Sequence, residues 1–154
     1  MEFQEFEVVL QAARAERLGS DYPEEFQLFD FWRATDSDLR QAESELGVQL
    51  PEKYKEFMRR HGGGVFMFLD LLPVVSPDGR AEDLVMVNKG EFREAGFVAV
   101  SPVGTGDWWG FSLSDGVCGD TVDFLDHEDG GITPSFADFL DFLTQKGLRV
   151  DIQA

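Results

Sequence analysis

The stretch from Glu45 to Gly64, reading ELGVQLPEKYKEFMRRHGGG, leaves the chain few ways to fold around it. Gly47 follows the apolar series Leu39, Ala42 and Leu46, and a glycine there can take the left-handed conformation that ends a helix without steric cost. Pro51 suits the first position of the next helix, where its missing N–H would have had no partner. Tyr54, Phe57 and Met58 fall at i, i+3 and i+4, so this second helix has one apolar stripe, with Lys53, Lys55, Glu56, Arg59 and Arg60 largely around it. Gly62 ends it. The spacing predicts two helices joined by a tight connection whose stop and start are set by backbone chemistry.

Upstream, residues 2–18 place Phe3, Phe6, Leu10 and Ala13 at helical spacing, which predicts an amphipathic helix laid on the outside of the domain and stopped by Gly19. Ser20 to Arg33 carries Pro23 and the cluster Phe26, Leu28, Phe29, Phe31 and Trp32 without a clean period, and is expected to be irregular and folded back on the core. Thr35-x-x-Asp38 approximates a capping box and starts the helix that Gly47 ends. Downstream, Val65 to Leu69 and Leu71 to Val75 are rich in strand formers and broken by Asp70, and Ser76-Pro77-Asp78-Gly79 has turn composition. Leu84 to Ala95 reads as one helix through Leu84, Val85, Asn88 and Phe92, ended by Gly96.

Phe97 to Val100 reads as a buried strand, and Gly104 to Asp107 as a turn. After it, Trp109, Phe111 and Leu113 alternate with Trp108, Gly110 and Ser112. Ser114-Asp115-Gly116 returns the chain to Thr121–Leu125. A hairpin of these two strands would bury Trp109, Phe111, Leu113, Val122 and Phe124 on one face and leave Trp108 on the other, beside Asp107. Asp126 to Gly131 is a polar loop at a strand end. Ser135-x-x-Asp138 is expected to cap a last helix through Phe136, Phe139, Leu140 and Leu143, stopped by Gly147. Helices, then hairpin-connected strands, then a helix imply an α+β fold with a mainly antiparallel sheet and flanking helices.

Leu46-Gly47-x-x-Leu50-Pro51-x-x-Tyr54-x-x-Phe57, closing on Gly62-Gly63, resembles the signature of the SMI1/KNR4 (SUKH) superfamily. The resemblance continues through the glycine- and Trp-rich turn at Gly104 to Phe111, the strand ending in Asp126-His127-Glu128, and the segment from Ser135-Phe136, so it covers roughly residues 35–143. His61 stands where that family commonly has asparagine. The resemblance implies the same α+β architecture in one SMI1/KNR4-like domain, with the helix of residues 2–18 packed on its core. It also implies a protein-binding role, either as an immunity protein that neutralises a cognate bacterial toxin or as a non-catalytic regulatory scaffold.

Charge narrows the partners. The 154 residues carry thirty acids against thirteen bases, a net charge of −17. Between Glu94 and Gln145 there is no Lys or Arg, while Glu94, Asp107, Asp115, Asp120, Asp123, Asp126, Glu128, Asp129, Asp138 and Asp141 are all acidic. Phosphate backbones and anionic lipid surfaces would be repelled, whereas a basic protein would be steered in with strong salt dependence. Nucleic acid and membrane are therefore not expected as partners. A single cysteine, Cys118, excludes an intrachain disulfide and agrees with a reducing compartment. The first residues carry glutamates where an export signal would be positive, so a cytoplasmic protein is expected, as a monomer or weak homodimer.

Catalytic and cofactor motifs find little support. The glycines at 62–64 follow a helix, whereas phosphate loops precede one, and Gly104-x-Gly106 has neither a third glycine nor a following helix. Asp126-His127-Glu128-Asp129-Gly130 is the richest polar cluster. It lacks the ligand spacing of a calcium loop, whose closing glutamate would fall on Ala137. For zinc, only His61 and Cys118 lie elsewhere as soft ligands. Cys118 sits in a glycine-flanked turn with no basic neighbour to activate it. No cofactor, metal or catalytic residue is expected, a hydrolase using this loop being the least favoured reading. The partner-binding candidates are Asp107, Asp123, Asp126, Glu128 and Asp129 for charge, His127 among them in the loop, and Trp108 for apolar contact, in the way tryptophan anchors many interfaces.

Overall fold

The computed structural model describes residues 1–18, 32–76 and 82–150. Helix α1 spans Phe3–Leu18 and buries Phe6 and Leu10, as its spacing predicts. Its stop at Gly19, most of the irregular segment from Ser20, and the centre of the Ser76–Gly79 turn lie outside the described residues. Helix α2, Asp36–Leu46, opens on a complete capping box: the Thr35 hydroxyl accepts from Asp38 N at 3.1 Å, and the Asp38 carboxylate accepts from Thr35 N at 2.9 Å. It closes on Gly47 in the left-handed conformation, φ 65°. Helix α3, Glu52–Arg60, follows with Pro51 as its N-cap, one position earlier than the spacing predicts. Tyr54, Phe57 and Met58 are its buried stripe.

The connection between α2 and α3 is pinned to the sheet. Gln49 N donates to Gly116 O at 2.8 Å and Gln49 O accepts from Cys118 N at 2.9 Å, while Arg93 Nε reaches the carbonyl of Leu46 at 2.9 Å. At the far end of α3, Gly62 and Gly63 lie against the backbone of Trp32. Trp32 N donates to Gly63 O at 2.8 Å, and a Cβ on Gly62 would stand 2.2 Å from Trp32 O. The glycine run thus serves close backbone approach.

Strands β1, Gly64–Phe66, and β2, Leu69–Leu71, form a small antiparallel hairpin turning at Met67 and Phe68, with Met67 at φ 49°. This corrects the expectation of a break at Asp70, which sits within β2 opposite Val65 with its side chain in solvent. The single helix expected over Leu84–Ala95 is two, α4 at Leu84–Asn88 and α5 at Glu91–Glu94, because Gly90 adopts φ 122° between them. Asn88 is the buried polar link from α4 to the sheet. Its amide donates to Leu84 O and Ala99 O at 2.9 and 2.8 Å and accepts from Ala99 N at 2.7 Å.

The main sheet is antiparallel in the order β3-β4-β6-β7, with β3 at Phe97–Pro102, β4 at Trp108–Ser114, β6 at Val122–Leu125 and β7 at Ile132–Phe136; the short β5, Val117–Cys118, pairs with the end of β4. The last strand overturns the cap expected at Ser135, whose hydroxyl donates back to Thr133 O at 3.0 Å. The final helix, α6, instead runs Phe139–Phe142 from an N-cap at Asp138 and continues as a π-helical turn over Leu143–Gly147.

Alternation along the strands gives the sheet two buried faces. Val98, Val100, Phe111 and Val122, with Trp109 and Phe136 partly buried, join the core built on α1, α2, α3 and α6. Phe97, Ala99 and Leu125, with Trp108 and Ile132 partly buried, meet Val87 of α4 and Phe92 of α5 on the other side. Helices therefore cover both faces, so the two adjacent tryptophans point in opposite directions and each is half-buried. Among the described residues no helix is long and apolar enough to cross a membrane.

Candidate functional site

The pairing Trp108↔Leu125 places the start of β4 beside the end of β6. That register brings the Gly104–Asp107 turn against the Asp126–Gly131 loop, although the two are about twenty residues apart in sequence. Asp107 is the clasp. Its Oδ1 accepts from His127 Nδ1 at 2.6 Å and from His127 N at 2.9 Å, and its Oδ2 accepts from the Thr105 hydroxyl at 2.6 Å. The His127 ring lies over Gly106, where a Cβ would stand 3.1 Å from ring Cγ. Here the lack of a side chain, together with φ 99°, is what lets the two loops touch.

The rest of the loop is held by its own carboxylates. Asp126 Oδ1 accepts from Glu128 N at 2.8 Å, Asp129 Oδ1 from Gly131 N at 2.6 Å, and the Asp126 backbone bonds to Gly130 and Gly131. These are local side-chain turns that fix where Asp126 and Asp129 sit. Glu128 and Asp129 are exposed and Asp126 is half-buried.

Hydrogen bonds set the ionisation of the clasp. The Thr105 hydroxyl, then the backbone and ring of His127, hold the Asp107 carboxyl down at about 2. The Asp107 hydrogen bond in turn raises His127 above its ordinary value, prevailing over desolvation, with Glu128 and Asp126 adding smaller attraction. The Asp107 contribution is present above the unfolded carboxylate value and lost as pH falls through about 2. The His127 contribution is full below the unfolded imidazole value and lost as pH rises through its raised one. Both partners are charged in the window between.

One candidate residue lies where no partner could reach it, and a second is only partly open. Asp123 is 2% exposed, on the face of β6 that looks toward α5, where the Ser112 hydroxyl donates to Oδ2 and the Thr121 hydroxyl donates to Oδ1 at 2.7 Å. It is a satisfied interior carboxylate, which corrects its placement among the surface charges. Trp108 packs edge-on against Phe92 at 5.3 Å, so α5 covers much of the indole. Of the other acids in the base-free stretch, Asp138 is also internal, capping α6 and accepting from Lys53 Nζ at 2.9 Å. Burial pushes its carboxyl up, but hydrogen bonds from the Met1 α-ammonium and Lys53 prevail and hold it below the usual range.

The structure thus brings together Asp107, Asp126, His127, Glu128 and Asp129 and leaves Asp123 out. Thr105 and the pairing of Asp107 with His127 escape a reading of the Asp126–Asp129 loop alone; aligning the β4 and β6 registers is the signal that finds them. Asp107, Asp126 and His127 offer two carboxylate oxygens and one ring nitrogen within 4.8 Å of one another. His127 Nδ1 already bonds to Asp107, so ligation through that nitrogen would break the clasp. The other candidate nucleophiles and ligands are structural. Burial pushes the Cys118 thiol up to about 12, with Glu43 adding to it, so the thiolate is suppressed. His61 bonds through Nε2 to Glu7 at 2.8 Å and packs against Phe57.

The architecture and this loop pair define an α+β domain core whose polar chemistry is spent on shaping an acidic surface. The SUKH_6 family model, described as SMI1-KNR4 cell-wall, matches residues 36–143, from the first residue of α2 to the turn after α6. The chain belongs to the SMI1/KNR4 (SUKH) superfamily. A search of curated proteins finds no match to it.

Proposed function

We propose that this chain is a protein-binding immunity protein that acts in the cytoplasm and neutralises a cognate bacterial toxin presenting a basic surface, as a toxin that attacks nucleic acids needs. The observation that carries the reading is the clasped loop pair. The Asp126 and Asp129 carboxylates are held by hydrogen bonds from Glu128 N and Gly131 N, with the exposed Glu128 between them, at the end of a sheet whose sequence has no Lys or Arg from residue 95 to residue 145. Pre-positioned charge costs less side-chain entropy on binding than free charge and steers encounter with a positive partner. Trp108 supplies the apolar edge that α5 leaves open. Asp107 and His127 position the loop and contribute little net charge themselves.

The test is to mix the purified chain with the toxin encoded beside it and to follow toxin activity and affinity in rising salt. Stoichiometric inhibition with an affinity that falls steeply as salt rises supports the proposal. Tight binding indifferent to salt contradicts the mechanism. A second reading, a regulatory scaffold that coordinates other proteins without inhibiting an enzyme, draws on the cell-wall description of the matched family. A toxin left fully active by a saturating excess of the chain would favour that reading.

A further inference from the structure

Lys146 and Arg149 stand out in so acidic a chain. Lys146 Nζ lies 5.7 Å from the ring centre of Trp109, and the Arg149 guanidinium lies 3.7 Å over Phe68. Among the described residues neither has a carboxylate at ion-pair distance, although the chain carries thirty acids. All four side chains line one cleft of about 440 Å³, with Val103 and Gln145, and among the described residues no acid contributes to its wall. Val103 is 38% exposed at its rim. Arg149 holds a left-handed backbone, φ 58°, which a non-glycine residue adopts at a cost. Trp109 lies on the face opposite Trp108, with Lys146 beside it.

We propose that this cleft is a second docking surface, for a carboxylate-rich segment of a partner protein that sets an apolar side chain against Trp109 and Val103. Charge complementarity names the occupant. Each cation is exposed and lies over an aromatic face, and among the described residues no acid competes for it, so both are open to an incoming carboxylate. A long polyanion such as a nucleic acid would also meet the rest of a chain whose net charge is −17, which a short acidic segment avoids. The inference is independent of the toxin reading, since its occupant has the opposite charge.

The experiment uses the full chain and a short fluorescein-labelled peptide with a Phe-Leu pair between runs of Asp and Glu, beside an Asn/Gln counterpart of the same length, read by fluorescence anisotropy. The acidic peptide is expected to bind at least about tenfold more tightly than its neutral counterpart, and Lys146→Glu with Arg149→Glu to abolish the difference. Arg149→Gly, which relieves the backbone strain while removing the guanidinium, is expected to fold and to lose part of the preference. Equal binding of the two peptides, or a preference unchanged in the charge-reversed protein with native circular dichroism, overturns the proposal. Concentration-dependent self-association of the unaltered chain in analytical ultracentrifugation, abolished by the same reversals, gives the cleft to a second copy and overturns the partner assignment.

Discussion

Asp107 does more for the site by holding His127 than by offering charge. Replacing it with Asn removes the main cause of the raised imidazole, so the His127 ring resonances, followed by NMR against pH, are expected to titrate at a lower pH in Asp107→Asn than in the unaltered chain. An unchanged midpoint would contradict the clasp. Tyr54 is the opposite kind of residue. Its ring meets Phe111 and Phe139 edge-on at 5.5 and 5.1 Å, yet its fully buried hydroxyl has no hydrogen-bond partner among the described residues. Tyr54→Phe is therefore expected to leave chemical-denaturation stability unchanged or higher, while Tyr54→Ala loses about 3–5 kcal/mol by opening a cavity. A clear loss in Tyr54→Phe would mean that the hydroxyl has an unseen acceptor. Asp123 shows what the sequence could not disclose at this scale. Alternation places it opposite Phe124, but only the presence of α5 over that face, with Ser112 and Thr121 donating to the carboxylate, turns a surface position into an interior one.

Elements whose ends are set by local chemistry were legible, and those set by tertiary contact were not. The Thr35 box, the Gly47 stop and the β4–β6 hairpin follow from residues close in sequence and are found as expected. The Phe136, Phe139, Leu140, Leu143 series satisfies a helical period but is divided between β7 and α6, because pairing with β6 claims residues 132–136 before Asp138 can start a helix. The α4 and α5 pair likewise hangs on the conformation of Gly90 and on Asn88. Asn88→Ala leaves Ala99 N and O without their buried partner and is expected to cost about 2–3 kcal/mol in urea unfolding, well beyond the roughly 1 kcal/mol of the exposed cap change Thr35→Ala. Equal effects from the two would refute the view that Asn88 ties α4 to the sheet.

Across the whole molecule, the base-free run of acids was plain in the sequence, but its distribution was not. Asp123 and Asp138 turn inward, whereas the loop after β6 gathers the others that matter beside Asp107. What remains is a concentrated acidic end at the clasped loops. If that end is the toxin-binding surface, location should count and total charge should not. Two variants with equal change in charge separate these: Asp126→Asn with Glu128→Gln and Asp129→Asn, against Glu94→Gln with Asp115→Asn and Asp120→Asn. Their affinities for the adjacent toxin, measured by calorimetry at one ionic strength, are expected to differ, the first falling at least about tenfold and the second staying close to the unaltered chain. Equal losses in both, or none in the first, would contradict the assignment of the clasped loops as the surface that meets the toxin.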